Sequence, residues 1–237
     1  MTSNLLRVAA QKYMDVGISV IPVRPQSKFP DAQALTASGN LNLQRQPSWQ
    51  VFIRRMATQD EVNTWFASDS GSLGIVAGYG QLLILDFDRL ESYDHWFDKY
   101  AYYAKRTSIQ KTRNGFHVLF RWKNVWTMRY YVNNAFQLLN TGGINAGELK
   151  GGSDYVVAWP SVHPDGGQYQ WLPGQAPWET EIVRIDSLEE IGIEPVKKIP
   201  ESYTAFVLKL FAHPGGNIPI LLNWIKNKYT KPRRKPR

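Results

Sequence analysis

Residues 82–88, Leu-Leu-Ile-Leu-Asp-Phe-Asp, leave the chain few ways to fold. Four aliphatic residues in succession read as a buried strand. Side chains alternate along a strand, so Asp86 and Asp88 share one face while Phe87 turns into the core. Two like charges at that spacing repel each other and call for compensation. A divalent ion, magnesium or manganese, suits such hard oxygen ligands. The plainer alternative is a strand end running into a polar turn with both acids solvated.

The 237 residues suffice for one large domain or a domain with an appendage. There is no cysteine, which excludes disulfides, thiolate zinc sites and a cysteine nucleophile. That suits an intracellular, cytoplasmic protein. The opening residues lack the apolar stretch of a signal peptide, and no run reaches membrane-spanning length, so no membrane partner is expected. The net charge of +8 falls to +3 without the five basic residues of the closing Thr-Lys-Pro-Arg-Arg-Lys-Pro-Arg. Charge alone therefore does not establish nucleic-acid binding by the body of the chain. Nine Trp, twelve Tyr and ten Phe supply a core and leave candidates for stacking on bases, among them Trp126, Tyr130 and Tyr131.

Periodicity predicts a helix over 4–16, a strand over 18–23 and a polar loop over 24–30 bearing Lys28. Residues 31–48 show no period and read as a long surface loop. A short helix is expected over 49–56, and Thr58 should cap another through Val62 and Trp65. Residues 73–78 read as a strand forming a hairpin with the Asp86 strand. Further along come an aromatic helix over 91–104, strands over 108–112 and 116–122 around an Arg113–Gly115 turn, and short strands at 147–150, 155–158 and 168–171. Residues 185–193 close the domain. Strands mixed with flanking helices give an α+β class. The expected divisions are a catalytic domain at 1–194, a linker and helical appendage at 195–229, and a disordered basic tail at 230–237.

In chain order stand Lys28, the Asp-Phe-Asp strand, Gly115-Phe116-His117, Glu148, and the segment from Tyr155 to His163. Three acids on neighbouring strands with a histidine and a lysine suit phosphoryl or nucleotidyl transfer. No Walker loop is present. With these residues the chain resembles the prim-pol branch of the archaeo-eukaryotic primase superfamily, the primase-polymerase domains of plasmids, phages and mobile elements. The likeness runs over roughly residues 5–172. Leu85-Asp86-Phe87-Asp88 matches the family's Asp-x-Asp motif. Gly115-Phe116-His117 matches its Ser-x-His motif with glycine in place of serine. Glu148 stands where aspartate is commoner.

The resemblance implies a small N-terminal α/β module and a mixed sheet like that of an RNA-recognition motif. It implies template-directed transfer of nucleotides from dNTPs or NTPs onto a 3′-hydroxyl, with de novo priming on single-stranded DNA and a helicase or helical module C-terminal to the domain. Asp86, Asp88 and Glu148 would be the catalytic, metal-holding acids, with two Mg²⁺ or Mn²⁺ ions and no zinc. His117, Lys28, Lys150, Arg113, Ser161 and His163 are the candidate nucleotide contacts. Their plainer alternatives are a hydrogen-bonded core histidine, solvated charges and a structural turn. A repair-type or end-extending polymerase, a non-catalytic nucleic-acid-binding protein and a metal-dependent nuclease are the rival readings.

Overall fold

The computed structural model describes residues 4–68, 70–127, 135–138 and 145–194. The helical appendage, the basic tail, Tyr130, Tyr131 and the turn at 141–143 lie outside the described residues.

The chain opens with α1 (Leu5–Asp15), capped by the Asn4 side chain, which accepts from the Arg7 amide at 3.1 Å. Leu6, Ala9, Ala10 and Tyr13 recur at helical spacing and are buried. Strand β1 (Val20–Val23) follows, then α2 (Ala32–Ala37), a 3-10 turn at Gln50–Ile53 and α3 (Gln59–Trp65). The Thr58 hydroxyl and the Glu61 carboxylate make a reciprocal capping box at the start of α3. Strands β2 (Ser72–Val76) and β3 (Leu82–Phe87) come next, then α4 (Leu90–Lys99) and α5 (Ala101–Ala104). The rest is nearly all strand: β4 (Ile109–Lys111), β5 (Phe116–Trp122), β6 (Ala135–Leu138), β7 (Asn145–Lys150), β8 (Tyr155–Ala158), β9 (Gln170–Trp171), β10 (Arg184–Ile185) and β11 (Ile193–Glu194).

Among the described residues these strands form two sheets. The smaller has the order β1-β2-β8, and the larger runs β11-β6-β7-β3-β5-β4-β9 with β10 paired to β5. All pairings are antiparallel except that of β10 with β5, so the larger sheet is mixed and the class is α+β. Leu82, Ile84 and Leu119 join Val20, Ile75, Val157 and Tyr13 in one core, where the small sheet and the first three helices meet the large sheet. The opposite face of the large sheet, with Leu83, Leu85, Phe87, Val118 and Phe120, packs beneath Tyr93 and Trp96 of α4.

Three expectations need correction. Strand β2 does not form a hairpin with β3. Every one of its residues is buried and it is the centre of the small sheet, paired on both sides by β1 and β8. The Gly78–Gln81 turn instead carries the chain from one sheet to the other. Residues 31–48 are not one long loop. The Asp31 carboxylate caps α2 by accepting from Gln33 and Ala34 amides, and Leu35 is buried. Asn40 then donates to Glu61 at 2.8 Å, and Arg55 pairs with the same carboxylate at 2.7 Å. Burial would raise the Glu61 carboxyl, but Arg55, the Thr58 amide and Asn40 bring it down to about 2. A six-residue helix held by one cap and one apolar contact is too short to leave a period in the sequence. The aromatic helix expected over 91–104 is likewise two pieces, broken at Tyr100.

Candidate active site

Register aligns the polar residues. Across β7, β3, β5 and β4, Glu148 stands opposite Asp86, Asp86 opposite His117, and His117 opposite Gln110. Directly opposed residues of antiparallel strands share a face. The four therefore form one transverse row, on the face of the large sheet that turns toward the small one.

Backbone crowding at the acidic end of β3 is relieved by glycine on both sides. A Cβ on Gly115 would run into the Phe87 carbonyl oxygen, and one on Gly147 into that of Asp86. The glycine that replaces serine before Phe116 thus has a steric reason: a serine at 115 would have to push β3 away.

Above the row opens a cavity of about 530 Å³, lined among others by Asp86, Asp88, His117, Glu148, Lys150 and Lys28. Arg113 and His163 also reach it. Lys28 is exposed at the tip of a turn, and the Tyr155 hydroxyl donates to its carbonyl at 2.7 Å. Arg113 is half-exposed and pairs with Asp165 at 2.9 Å. His163 is buried and accepts from the Asp165 amide at 3.1 Å; burial, then Lys28 and Arg113, depress its pKa. Ser161 is not brought to the cavity. Its buried hydroxyl accepts from the Leu73 amide and donates to the Leu73 carbonyl, pinning the loop after β8 to β2. A hydroxyl committed in both directions has nothing left for a phosphate, so the nucleotide contact expected of Ser161 is withdrawn. Trp126 is half-exposed and does not line the cavity. His95 is exposed.

The acids differ in state. His117 Nε2 lies 3.2 Å from Asp86 Oδ1. Burial alone would raise the Asp86 carboxyl, but the attraction and hydrogen bond of the His117 ring, with Lys150 and Lys28 beyond, hold it below its ordinary value. Asp88 goes the other way: desolvation, then the Asp86 and Glu148 carboxylates, push it up. Lys150 pairs with Glu148. Burial works against its charge, yet the Glu148 hydrogen bond and the Asp86, Glu148 and Asp154 carboxylates keep its pKa raised.

Among the described residues, no three Asp, Glu or His side chains converge on one point as a metal cage. Lys150 and His117 stand against two of the acids instead. The donor chemistry nonetheless fits a hard divalent cation: three carboxylates line one cavity, and Asp88, pushed up first by burial and then by the Asp86 and Glu148 carboxylates, has neighbours whose negative charge a cation would offset. Lys150 occupies Glu148 Oε2, so a cation bound through that oxygen would displace the lysine.

Sequence reasoning passed over Gln110 and Tyr169. Gln110 is fully buried in the row; Tyr169 stacks on the His117 ring at 5.9 Å between centroids. Burial and the nearby Asp86 raise the Tyr169 phenol to about 12. The Arg113–Gly115 turn fixes the pairing of Gln110 with His117, so that partner could have been found by counting back from the histidine. Nothing local marks Tyr169, which arrives from beyond a loop.

Residues 10–201 match the family model described as Prim-Pol, bifunctional DNA primase/polymerase, N-terminal. The chain belongs to this family. No curated protein matches it. Membership makes this prim-pol chain a nucleotidyltransferase of the primase/polymerase kind, one that binds DNA and nucleotides, in a family whose members generally depend on divalent metal. No helix among the described residues is long and apolar enough to cross a membrane.

Proposed function

We propose that this prim-pol domain joins nucleotides on a single-stranded DNA template, and that the row Glu148–Asp86–His117 with Asp88 is where it does so. The observation that carries this is the register that lines up Glu148, Asp86 and His117 beneath one cavity that Asp88 and two lysines also line. In the reaction the primer 3′-oxygen forms a bond to the α-phosphorus of a dNTP or NTP, the bond from that phosphorus to pyrophosphate breaks, and the hydroxyl proton passes to solvent. Asp86, Asp88 and Glu148 would hold Mg²⁺ or Mn²⁺, which when bound acidifies the hydroxyl and offsets phosphate charge.

The remaining work falls to the chain's own side chains. His117 would offer its Nε2–H to the triphosphate once Asp86 turns away from it to a cation, and Lys28, Lys150 and Arg113 offer positive charge at the cavity's rim. Once Lys150 is released from Glu148, its ammonium is free to turn to a phosphate. His163 stands by as a further polar contact. The catalytic unit is residues 1–194; 195–229 act as linker and appendage, and the basic tail at 230–237 adds salt-dependent affinity for nucleic acid. Primer synthesis without a pre-existing 3′ end, a C-terminal helicase or helical partner, a cytoplasmic setting and a role in replication of a mobile element complete the reading.

A gel assay tests it. Labelled single-stranded DNA, with and without primer, is incubated with nucleotides and Mg²⁺ or Mn²⁺, comparing wild type with Asp86→Ala/Asp88→Ala. Products without primer that vanish in the variant support priming. Extension of the primed strand alone restricts the reading to a polymerase. Shortening of the DNA without nucleotides would make it a nuclease, and no change in either protein would make it a binding protein.

A further inference from the structure

Gln110 has no part in the transfer reaction proposed above, yet it is fully buried and all of its side-chain polar atoms are engaged. The Trp159 amide donates to its Oε1 at 2.7 Å. A backbone N–H can only donate, so this contact fixes which end of the carboxamide is oxygen. The amino end, Nε2, is then the donor, and it meets the Val157 carbonyl at 3.3 Å and His117 Nδ1 at 3.0 Å. A carbonyl can only accept, which agrees with that orientation. Facing an N–H, His117 Nδ1 must offer its lone pair. The neutral ring then carries its proton on Nε2, the nitrogen that lies 3.2 Å from Asp86 Oδ1 at the cavity.

From this geometry we infer that Gln110 is a positioning residue that sets the tautomer of His117, so that the imidazole presents an N–H rather than a lone pair to the reacting groups. The chain of fixed roles starts in the small sheet. The Trp159 amide and the Val157 carbonyl at the end of β8 hold the carboxamide, the carboxamide holds the ring, and the ring donates toward Asp86. Tyr169, stacked on the same imidazole, keeps its plane. Gln110 never touches substrate; it acts through the histidine. The functional consequence rests on the reading of His117 as a triphosphate donor, whereas the tautomer itself does not.

The decisive measurement is made on the whole chain with ¹⁵N-labelled histidine, free of metal and nucleotide. An unprotonated ring nitrogen resonates far from a protonated one, and loss of one set of signals in His117→Asn assigns the ring. Wild type is expected to show Nδ1 unprotonated and Nε2 protonated. Protonated Nδ1 in neutral His117 would overturn the inference without any variant. Gln110→Glu tests the cause: a carboxylate still accepts from the Trp159 amide, but it can only accept from Nδ1. The Nδ1 signal is expected to move to the protonated position, and the nucleotide KM to rise about tenfold, the size of one lost charge-assisted hydrogen bond, with kcat changing less. A folded variant that keeps the wild-type tautomer overturns the role of Gln110. The expected tautomers in a protein whose wild type transfers no nucleotide would sink the reading of function and leave the positioning role standing.

Discussion

On β3, Leu83, Leu85 and Phe87 face α4, and all three are buried, as are Val118 and Phe120 beside them on β5. On its other face Leu82 and Ile84 enter the core shared with the small sheet, but Asp86, next in that alternation, emerges into the cavity. The same strand thus carries one face of uniform character and one whose chemistry changes along its length. The uniform face anchors the strand by apolar burial and aromatic contacts, with Phe87 edge-on to Tyr93 and Phe136 at 5.8 and 5.3 Å. The graded face can then hold like charges side by side, because its geometry is imposed from behind.

The sharpest way to break this contrast is to strip each face in turn. Asp86→Ala/Asp88→Ala should cost about a thousandfold or more in nucleotide transfer, with an unfolding midpoint close to wild type. Phe87→Ala should do the reverse in stability, losing about 3–5 kcal/mol, measured by urea denaturation, and lose activity only as the fold loosens. If the double alanine unfolded the protein while Phe87→Ala left it stable, the division of labour between the faces would be wrong. Gly115→Ser probes the seam between them. Its Cβ meets the Phe87 carbonyl, so the substitution should cost roughly 1–3 kcal/mol and lower activity as well, since Phe87 sits between the two aspartates.

Much of this contrast could be read from the chain because strand alternation is local. Leu82 to Asp88 declare both faces by alternation, and Leu82 and Ile84 indeed enter one core while Leu83, Leu85 and Phe87 enter the other. The α+β class followed from the mixture of periods. What failed was partnership over distance. Two consecutive strands with a glycine turn between them looked like a hairpin, yet β2 is buried along its whole length and is paired on both sides as the centre of another sheet. Ser161 looked like a loop hydroxyl near a nucleotide, and nothing local betrayed that the Leu73 backbone, far back in sequence, claims both of its hydrogen bonds. The ion pair of Glu148 with Lys150, two residues apart, follows from strand alternation, but that the lysine would sit on the acid depends on the surrounding charge.

Within the polar face, Asp86 and Asp88 can be set against each other by pH. The folded pKa of Asp88 lies above its unfolded value, so in the carboxylate range the folded state binds more protons and stability from this group falls as pH rises. Asp86 has a lowered folded pKa; its contribution is present above the unfolded value and lost as pH falls. In EDTA, Asp88→Asn should therefore raise the thermal midpoint at pH 7 relative to wild type, and the gain should vanish below the carboxylate range. Asp86→Asn should lower it at pH 7. Thermal scans from pH 3 to 7 decide the matter, and the opposite order would show that the acids do not burden the fold as described. Added Mn²⁺ should lift the wild-type midpoint by binding only the native state, and lift that of Asp88→Asn less.

The smallest effect is expected across the cavity, where the small sheet rather than the large one supplies the wall. Tyr155, on β8, donates its hydroxyl to the Lys28 carbonyl at 2.7 Å, and Trp49 meets its ring edge-on at 4.9 Å. The lysine side chain itself is exposed, so what Tyr155 fixes is the turn from which the ammonium reaches inward. Tyr155→Phe keeps the ring and its contact with Trp49 and removes only that hydrogen bond, worth about 0.5–1.5 kcal/mol. Nucleotide KM should rise a few-fold while kcat and the thermal midpoint stay near wild type, because a charge held at the rim aids capture of the triphosphate more than the bond-making step. A fall in kcat at constant KM would place Lys28 among the groups that act in the transition state, and the wall formed by the small sheet would then share the chemistry assigned to the acidic row.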